Sequence, residues 1–289
     1  MSNILFDLSG KIDQQTVAVL SIVKKVADSL TIPFFVVGAS ARDIILNHCY
    51  GLRTPRMTKD IDLGVEVADW GQFNQLSESL LLQGKFSPTS GRHRLRFDSV
   101  LIDIVPFGAI TDERRQISWP PEHEIIMSLV GFKEAYEYSV TVRLSSDPDL
   151  DIKLPTLPGL AIMKLISWKD GYPGRQRDAE DLLLIMQKYE EAGNSDRLYE
   201  KEQSLLEEEG FDTRYAGIRL LGRDMAMMAD PFTQSAINSI LEAETGQESQ
   251  YKLAIDMIKG SSNMGGEFDE ILSLVEKLRQ GFIEASAAS

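Results

Sequence analysis

Alternating apolar and polar residues predict short strands in the first half of the chain. In the segment 58–65, apolar residues alternate with Asp60 and Asp62, which is the two-residue period of a strand. Side chains two positions apart in a strand lie on one face, about 7 Å apart at the backbone, so Asp60 and Asp62 should project side by side. The runs 33–37 and 100–105 are almost wholly apolar and rich in β-branched residues, which predicts two buried strands.

Other stretches of this half have the 3.6-residue apolar period of helices. We expect helices over residues 11–31, 40–48 and 69–82. Asp98-Ser99 has the composition of a tight turn, so residues 93–98 and 100–106 should form a β-hairpin. Residues 122–143 are ambiguous and favour further strand.

The second half is helical in pattern. Proline and turn-forming residues at 147–158 predict a linker. Helices are expected over residues 159–169, 175–189, 200–210, 214–228, 233–259 and 267–283. The sequence therefore predicts an α+β chain, with a mixed sheet and flanking helices in a domain spanning residues 1–150 and a helical C-terminal domain spanning residues 151–289.

The composition is that of an ordinary globular protein. Of 289 residues, 43% are hydrophobic and 26% are charged, which is enough for two domains with cores of their own. No apolar run approaches the roughly 20 residues of a membrane helix, and the first residues lack a basic leader, so secretion is not expected. The single cysteine, Cys49, cannot form an internal disulfide, and we expect it to pack. A reducing cytoplasm fits these features.

The net charge becomes more negative along the chain. Residues 1–120 carry 13 basic and 13 acidic residues, residues 121–190 carry 8 and 12, and residues 191–289 carry 9 and 19, for a net charge of −14. A chain this acidic is a poor general nucleic-acid binder, because affinity for phosphate backbones comes largely from cations. Arg92, Arg94 and Arg96 are a local exception at alternate positions. They form either a solvated basic strand face or a track for triphosphate or RNA.

Three acidic residues are the strongest candidates for chemistry. Asp60 and Asp62 repel each other when held side by side, unless a cation lies between them; the alternative is a solvated strand edge. Asp103 stands at the centre of an apolar strand, where a carboxylate needs a metal, a cationic side chain or a solvent-filled cleft. If the two strands are neighbours, the three carboxylates converge. They would then hold Mg²⁺ and activate a hydroxyl for attack on an α-phosphate.

The turn after the first buried strand is a candidate nucleotide-binding element. Gly38-Ala39-Ser40-Ala41-Arg42-Asp43 leads from a strand into a helix, which aims backbone N–H groups and the positive helix end at an anion. Gly38 would let a phosphate approach the backbone, and the Ser40 hydroxyl would add a donor. The alternative is an ordinary N-cap at Ser40. Arg42 either contributes to nucleotide binding or pairs with Asp43.

Together these motifs resemble the DNA polymerase β superfamily of nucleotidyltransferases. The shared features are a Gly-Ala-Ser turn, Asp-x-Asp at residues 60–62 and a lone Asp103 on a later apolar strand. The segment 38–43 is also similar to the glycine-rich Arg-Asp segment of tRNA CCA-adding enzymes. There the turn has paired glycines; here Ala39 replaces the second glycine, and Ser40, at the next position, would have its role. The resemblance implies a polymerase β-like nucleotidyltransferase domain with Mg²⁺ as cofactor and an NTP as substrate.

The second half adds a further resemblance. Lys164, followed by Arg177-Asp178-x-x-Asp181-Leu182, is similar to the Lys…Arg-Asp-x-x-Asp-Leu pattern of AbiEii-type nucleotidyltransferases, the toxins of abortive-infection systems. This resemblance implies a helical C-terminal domain in which Lys164 and Asp178 face the nucleotide. Lys164 would neutralise triphosphate charge, and Asp178 would orient it or act as a general base. The alternative is a set of salt bridges between helices.

The reaction that follows is transfer of NMP from an NTP to an acceptor hydroxyl, with release of pyrophosphate. The toxin resemblance implies an RNA acceptor, a tRNA 3′ end, and an antitoxin as partner. The acidic surface suits a protein or a cationic small molecule as well or better. A non-catalytic nucleotide-binding or partner-binding module of the same fold is the remaining alternative. An arginine fixed among the three acids, or an Asp103 that faces away from Asp60 and Asp62, would argue against catalysis.

Overall fold

The chain divides into two compact units. The computed structural model describes residues 4–55, 58–91, 93–259 and 264–287. The units are Met1–Thr156 and Leu157–Ser289. The boundary expected after residue 150 falls inside the last strand of the first unit.

The first unit combines strands with a few helices. Its strands are β1 (Ile4–Asp7), β2 (Phe34–Val37), β3 (Ile61–Glu66), β4 (Phe86–Pro88), β5 (Arg94–Phe97), β6 (Val100–Phe107), β7 (Gln116–Ser118), β8 (Ile126–Ser128), β9 (Val140–Ser146) and β10 (Asp149–Leu154). Its helices are α1 (Gln14–Ser29), α2 (Gly38–Asp43), α3 (Trp70–Leu81) and α4 (Phe132–Glu137). Helix α2 continues directly into a π-helical segment, Ile44–Cys49. Residues 122–143, which favour strand by sequence, contain β8, α4 and the first residues of β9.

The central sheet is mixed, as the sequence predicts. Within the described residues it has five strands in the order β2-β3-β6-β5-β4. Strands β3 and β6 run parallel, and the other neighbouring pairs run antiparallel. The hairpin between β5 and β6 turns at Asp98-Ser99, where the positive φ of 50° at Asp98 suits a tight turn. Strands β1, β9 and β10 form a second sheet, and β7 pairs with β8.

One face of the central sheet contributes to the core. Ile61, Leu63 and Val65 on β3 point to this face, as do Ile102 and Ile104 on β6, and all of them are buried. The two-residue period of a strand therefore sends the intervening polar residues to the opposite face.

The opposite face is apolar at one end and polar at the other. Phe35, Phe107, Phe132 and Tyr136 pack edge-to-face or tilted against one another on it. Gly64 leaves the room that this cluster needs, because a Cβ atom there would lie 2.3 Å from Cε1 of Phe35. Asp62 on β3 and Asp103 on β6 precede this cluster along their strands.

The linker predicted at residues 147–158 is too long, although the boundary between the two units does lie within it, between Thr156 and Leu157. Most of the stretch forms β10, which pairs antiparallel with β9 and buries alternate residues from Leu150 to Leu154. Pro148 and Pro155 lie just outside the strand, where a missing N–H interrupts no ladder. The connection between the units is therefore limited to the residues between β10 and α5.

The second unit is helical throughout its described residues. Its helices are α5 (Leu157–Gly171), α6 (Gln176–Lys188), α7 (Ser195–Glu200), α8 (Gln203–Glu208), α9 (Thr213–Met228), α10 (Pro231–Thr245), α11 (Lys252–Ile258) and α12 (Met264–Ser286). The acidic helix expected over residues 200–210 is the shorter α8, and residues 233–259 contain segments of two helices. The backbones of α9 and α12 are in contact where the two helices cross. They approach so closely that a Cβ atom added to Gly281 would lie 1.8 Å from the carbonyl oxygen of Arg219. None of the described helices has the length and apolar character to cross a membrane.

Candidate active site

Four neighbouring strands of the central sheet each contribute one residue to a row that contains three charged side chains. Val37 on β2 pairs with Asp62 on β3, Asp62 pairs with Asp103 on β6, and Asp103 pairs with Arg94 on β5. Neighbouring strands are about 4.8 Å apart, so the two carboxylates project side by side from the same face. Asp103 therefore does not face away from Asp62. The row begins at the end of β2, where the chain turns at Gly38.

The Gly38 turn lies directly against Asp62. Gly38 has a φ of 67°, a left-handed conformation that favours glycine, and a Cβ atom there would lie 2.1 Å from Oδ2 of Asp62. The Ser40 hydroxyl donates to the carbonyl oxygen of Val37 at 3.0 Å and accepts from the backbone N–H of Asp62 at 3.5 Å. Helix α2 begins at Gly38 with Val37 in the cap position, so Ser40 is not its N-cap. Ser40 instead joins the turn to the acidic strand.

Arg94 forms a bidentate ion pair with Asp103. Its Nε donates to Oδ1 and its Nη2 donates to Oδ2, both at 2.6 Å. The hydrogen bonds to Asp103 raise the pKa of Arg94, against an opposing effect of desolvation, and the charges of Asp103, Asp60 and Asp62 raise it further. The Arg94 side chain is 39% exposed and that of Asp103 is 18% exposed. An arginine does lie among the acids, but it is the first residue of its strand and reaches solvent.

Asp60 lies just before β3 and not on it. Its backbone N–H donates to the Thr58 hydroxyl at 3.2 Å. Across the described residues of the chain, no three His, Cys, Asp or Glu side chains are arranged to hold a metal ion. The expected convergence of Asp60, Asp62 and Asp103 is thus incomplete, because Asp60 precedes the strand and Arg94 engages both oxygens of Asp103.

The donor set nevertheless suits Mg²⁺. Asp62 and Asp103 are adjacent carboxylates that are only partly buried, and hard oxygen ligands of this kind are the ones that Mg²⁺ binds in nucleotide enzymes. Two like charges this close need a cation, and Arg94 supplies one. The charges of Asp60 and Asp62 also act on Arg94, so the three acids share one electrostatic environment.

Arg42 does not lie in the row. Its side chain is 2% exposed, and its Nε and Nη2 donate to Oδ1 of Asp43 at 2.9 and 2.6 Å. Oδ2 of Asp43 accepts from the backbone N–H of Thr58 at 2.9 Å. Pairing with Asp43 is therefore the alternative that the structure shows for Arg42. This buried ion pair holds the loop before the acidic strand, whereas nucleotide binding would need an accessible guanidinium.

In the second unit, Lys164 is held between two aspartates. Its Nζ lies 2.7 Å from an oxygen of Asp178 on α6 and 2.7 Å from an oxygen of Asp181, one turn further along that helix. The hydroxyl of Ser167 donates to Asp178 at 2.9 Å, and Arg175 lies 3.6 Å from the same oxygen. Lys164, Asp178 and Asp181 are 8%, 6% and 4% exposed. The predicted motif is assembled, with its lysine paired to both acids.

Burial and charge act in opposite directions on Lys164. Burial alone would lower the pKa of its ammonium group, but the charges of Asp178 and Asp181 and their hydrogen bonds more than offset this effect, so the pKa is raised. Lys164 is thus a charged group held between two acids.

The remaining basic positions have different outcomes. Arg92 lies outside the described residues. Arg96 is exposed on β5. The Arg94–Asp103 pair escaped the sequence analysis although its signal was present: a two-residue turn at residues 98–99 places residue 94 opposite residue 103. Cys49 is half-buried, and burial raises the pKa of its thiol to about 12, which agrees with a packing role.

Several solved structures are similar to this chain at low identity. A nucleotidyltransferase-like protein from Paracoccidioides brasiliensis has 15% identity and a TM-score of 0.38, over 72% of this chain and 94% of its own. The antibiotic-resistance factor ANT(2'')-Ia, solved with adenylyl-2''-tobramycin, has 16% identity and a TM-score of 0.35, over 70% and 99%. The Thermotoga maritima CCA-adding enzyme complexed with tRNA has 12% identity and a TM-score of 0.27, over 96% and 83%. No curated protein sequence matches the chain.

A protein-family model also matches most of the chain. The family described as "Nucleotidyl transferase AbiEii toxin, Type IV TA system" matches residues 24–273. This span contains the Gly38 turn, the row of acids and the Lys164–Asp178–Asp181 cluster, so it joins the two sets of residues that the sequence singled out. The chain belongs to the AbiEii family of nucleotidyltransferases.

Proposed function

We propose that this nucleotidyltransferase carries out Mg²⁺-dependent transfer of a nucleoside monophosphate from an NTP to an acceptor hydroxyl. The observation that carries the proposal is the pairing of Asp62 with Asp103 across two parallel strands, beside a glycine turn that touches Asp62. An apolar sheet has no structural need for two adjacent carboxylates, and keeping them is costly unless they bind a cation.

The proposed reaction is a substitution at the α-phosphorus of the NTP. The acceptor oxygen forms a bond to that phosphorus, the bridging bond to the β-phosphate breaks, and pyrophosphate leaves with the electron pair. Asp62 and Asp103, with Asp60 nearby, would hold Mg²⁺, which supplies charge stabilisation at the phosphates when bound. Asp103 would accept the proton of the acceptor hydroxyl.

The remaining predicted residues have supporting roles in this proposal. The backbone of Gly38 would bind the β- and γ-phosphates, and the Ser40 hydroxyl would join it by turning its proton from the carbonyl oxygen of Val37 to a phosphate oxygen. Lys164 would counter the charge that develops on pyrophosphate, and Asp178 would orient Lys164 or act as a general base. For Lys164 and Asp178 the support is the family motif together with their direct contact at 2.7 Å.

For the acceptor we propose the 3′ end of an RNA, a tRNA in a toxin-like role, with an antitoxin as partner. Membership of a toxin family supports this choice. A second candidate is supported by a different observation: the net charge of −14 would attract a cationic small molecule or a basic protein and repel RNA.

The experiment incubates the full chain with each of the four α-³²P-labelled NTPs, Mg²⁺ and total RNA, lysate protein or an aminoglycoside mixture. Asp62→Asn and Asp103→Asn remove one charge each while keeping the shape of the side chain. Glu66→Gln is the matched control, because it removes a charge from the same strand and face as Asp62. We expect label on RNA that needs both aspartates and is removed by EDTA.

Each other outcome has a definite meaning. Label on protein or aminoglycoside, lost in both variants, would support the second candidate and reject the RNA acceptor. Transfer that persists in Asp62→Asn and Asp103→Asn would reject the proposed site. No transfer to any acceptor from the wild-type chain would favour a non-catalytic binding module.

A further inference from the structure

Two arginine–aspartate pairs in the first unit differ in accessibility. The Arg42–Asp43 pair is buried, with side chains 2% and 6% exposed. The Arg94–Asp103 pair has the same close contact, 2.6 Å, but its side chains are 39% and 18% exposed. Arg42 has a structural position, whereas Arg94 can leave Asp103 for solvent without leaving a buried charge behind it.

Arg94 also takes up the oxygens that the proposed metal needs. Its two hydrogen bonds use both carboxylate oxygens of Asp103. Each of these oxygens keeps a second lone pair, but the guanidinium charge beside them repels a divalent cation and neutralises the carboxylate that would attract it. Mg²⁺ therefore binds to Asp103 more weakly while Arg94 is paired with it than after Arg94 withdraws.

The position of Arg94 in the row strengthens this conclusion. Arg94, Asp103 and Asp62 are in register on three neighbouring strands, so the guanidinium stands at one end of a pair of like charges. It partly neutralises two carboxylates that would otherwise repel each other. In the metal-free protein this arrangement performs the electrostatic task that a divalent cation would perform in the loaded enzyme.

We propose that Arg94 is a built-in competitor of the divalent cation: its ion pair with Asp103 lowers the affinity of the Asp62–Asp103 pair for the metal, and metal binding is tightest when Arg94 withdraws. This inference rests on the proposed function, since it takes Asp62 and Asp103 as the metal-binding pair. It adds that the Arg94–Asp103 pair weakens metal binding, so that Arg94 sets the metal concentration at which the site loads.

The test measures metal binding directly, without turnover. Mn²⁺ is titrated into the full chain without nucleotide, and free Mn²⁺ is followed by electron paramagnetic resonance. We compare the wild-type chain with Arg94→Gln, Arg94→Lys and Arg96→Gln. Arg96→Gln is the matched control, because it removes the same charge from the next exposed position on the same strand and face. Asp62→Asn and Asp103→Asn identify the site.

We expect Arg94→Gln to bind Mn²⁺ roughly three- to tenfold more tightly than the wild type, since a partly exposed ion pair of this geometry contributes on the order of 1 kcal/mol. Arg94→Lys keeps the charge but not the two-pronged contact, so its affinity should lie between the two. Arg96→Gln should remain within about twofold of the wild type, because an exposed charge is largely screened. Thermal unfolding of each variant verifies that it is folded.

Failure of this inference differs from failure of the proposed function. One outcome is that Asp62→Asn and Asp103→Asn abolish Mn²⁺ binding but Arg94→Gln binds Mn²⁺ no more tightly than the wild type. That result would support the metal site and reject the competition by Arg94. An equal gain in Arg96→Gln would also reject it, because the effect would then reflect overall charge. If neither aspartate variant alters Mn²⁺ binding, the metal site and the competition both fall.

Discussion

The backbone of Gly38 touches the carboxylate of Asp62, and a Cβ atom at residue 38 would lie 2.1 Å from Oδ2 of that acid. The turn between β2 and α2 and the acidic position on β3 are therefore one structural unit, although 24 positions separate them in the numbering. Ser40 joins the same two elements through its hydroxyl. A phosphate bound at the turn would lie beside the acids that are proposed to bind the metal.

Gly38→Ala should therefore destabilise the protein more than a left-handed conformation alone explains. Gly10 is the matched control, since its φ of 76° is similar and nothing lies within 4 Å of a Cβ atom there. Gly10→Ala should cost about 1–2 kcal/mol from backbone strain. Gly38→Ala should cost about 1–3 kcal/mol more from crowding against Asp62. Urea unfolding at pH 7 measures both, and equal losses would contradict the contact.

Lys164→Met should be strongly destabilising, because it leaves Asp178 and Asp181 buried without their cation. Breaking a buried ion pair by removing one partner costs about 3–5 kcal/mol. Lys169→Met removes an exposed charge from the same helix and should change stability by less than about 0.5 kcal/mol. The free energy of unfolding in urea, measured for both variants, tests this difference.

The pH dependence of the Lys164 contribution follows from its pKa. The pKa is raised in the folded protein, so the lysine binds its proton more tightly when folded than when unfolded. Its stabilisation is fully present below the unfolded lysine pKa of about 10.4 and is lost as the pH rises through the higher folded value. The difference in unfolding free energy between the wild type and Lys164→Met should thus be the same at pH 7 and pH 9. A marked decrease between these pH values would contradict this assignment.

Arg42→Met should destabilise the first unit by removing the partner of the buried Asp43. We expect a loss of about 3–5 kcal/mol, as for other buried pairs that lose one member. Lys24→Met is the control, because Lys24 pairs with Asp28 at 3.0 Å on an exposed helix face and should contribute less than about 1 kcal/mol. Since Asp43 also accepts from the Thr58 N–H, amide hydrogen exchange at Thr58 should accelerate in Arg42→Met. Unchanged exchange there would mean that the pair does not hold this loop.

Cys49 should react slowly with a thiol reagent in the native protein. Burial raises the pKa of its thiol to about 12, so very little thiolate is present at pH 8. The same chain unfolded in urea, where the thiol has an ordinary pKa of about 8.5, should react many times faster. The rate with Ellman's reagent in both states measures this effect, and similar rates would contradict the burial.

The sequence predicted most of the local structure of this protein. The alternation at residues 58–65 and the apolar runs on either side identified β2, β3 and β6, and the 3.6-residue period identified most of the longer helices, but not the short α4 and α7 or the break between α10 and α11. These signals are local, because periodicity reports which side of an element is buried. The proline-rich stretch at 147–158 contains the boundary between the units, but its composition did not reveal β10, because the pairing of β10 with β9 depends on a strand elsewhere in the chain.

The sequence by itself singled out the residues to which we assign the chemistry: Asp62, Asp103, Gly38 and the Lys164–Asp178 pair, through their types and their similarity to a known pattern. Only the tertiary structure decided their partners. In the folded chain Asp62 lies beside Asp103, and Arg42 is buried in an ion pair with Asp43. Asp103 forms its ion pair with Arg94. Periodicity fixes the face on which a side chain lies, whereas strand order, register and competition among nearby charges fix what that side chain meets. These depend on the whole fold, because a carboxylate binds whichever cation the fold brings closest.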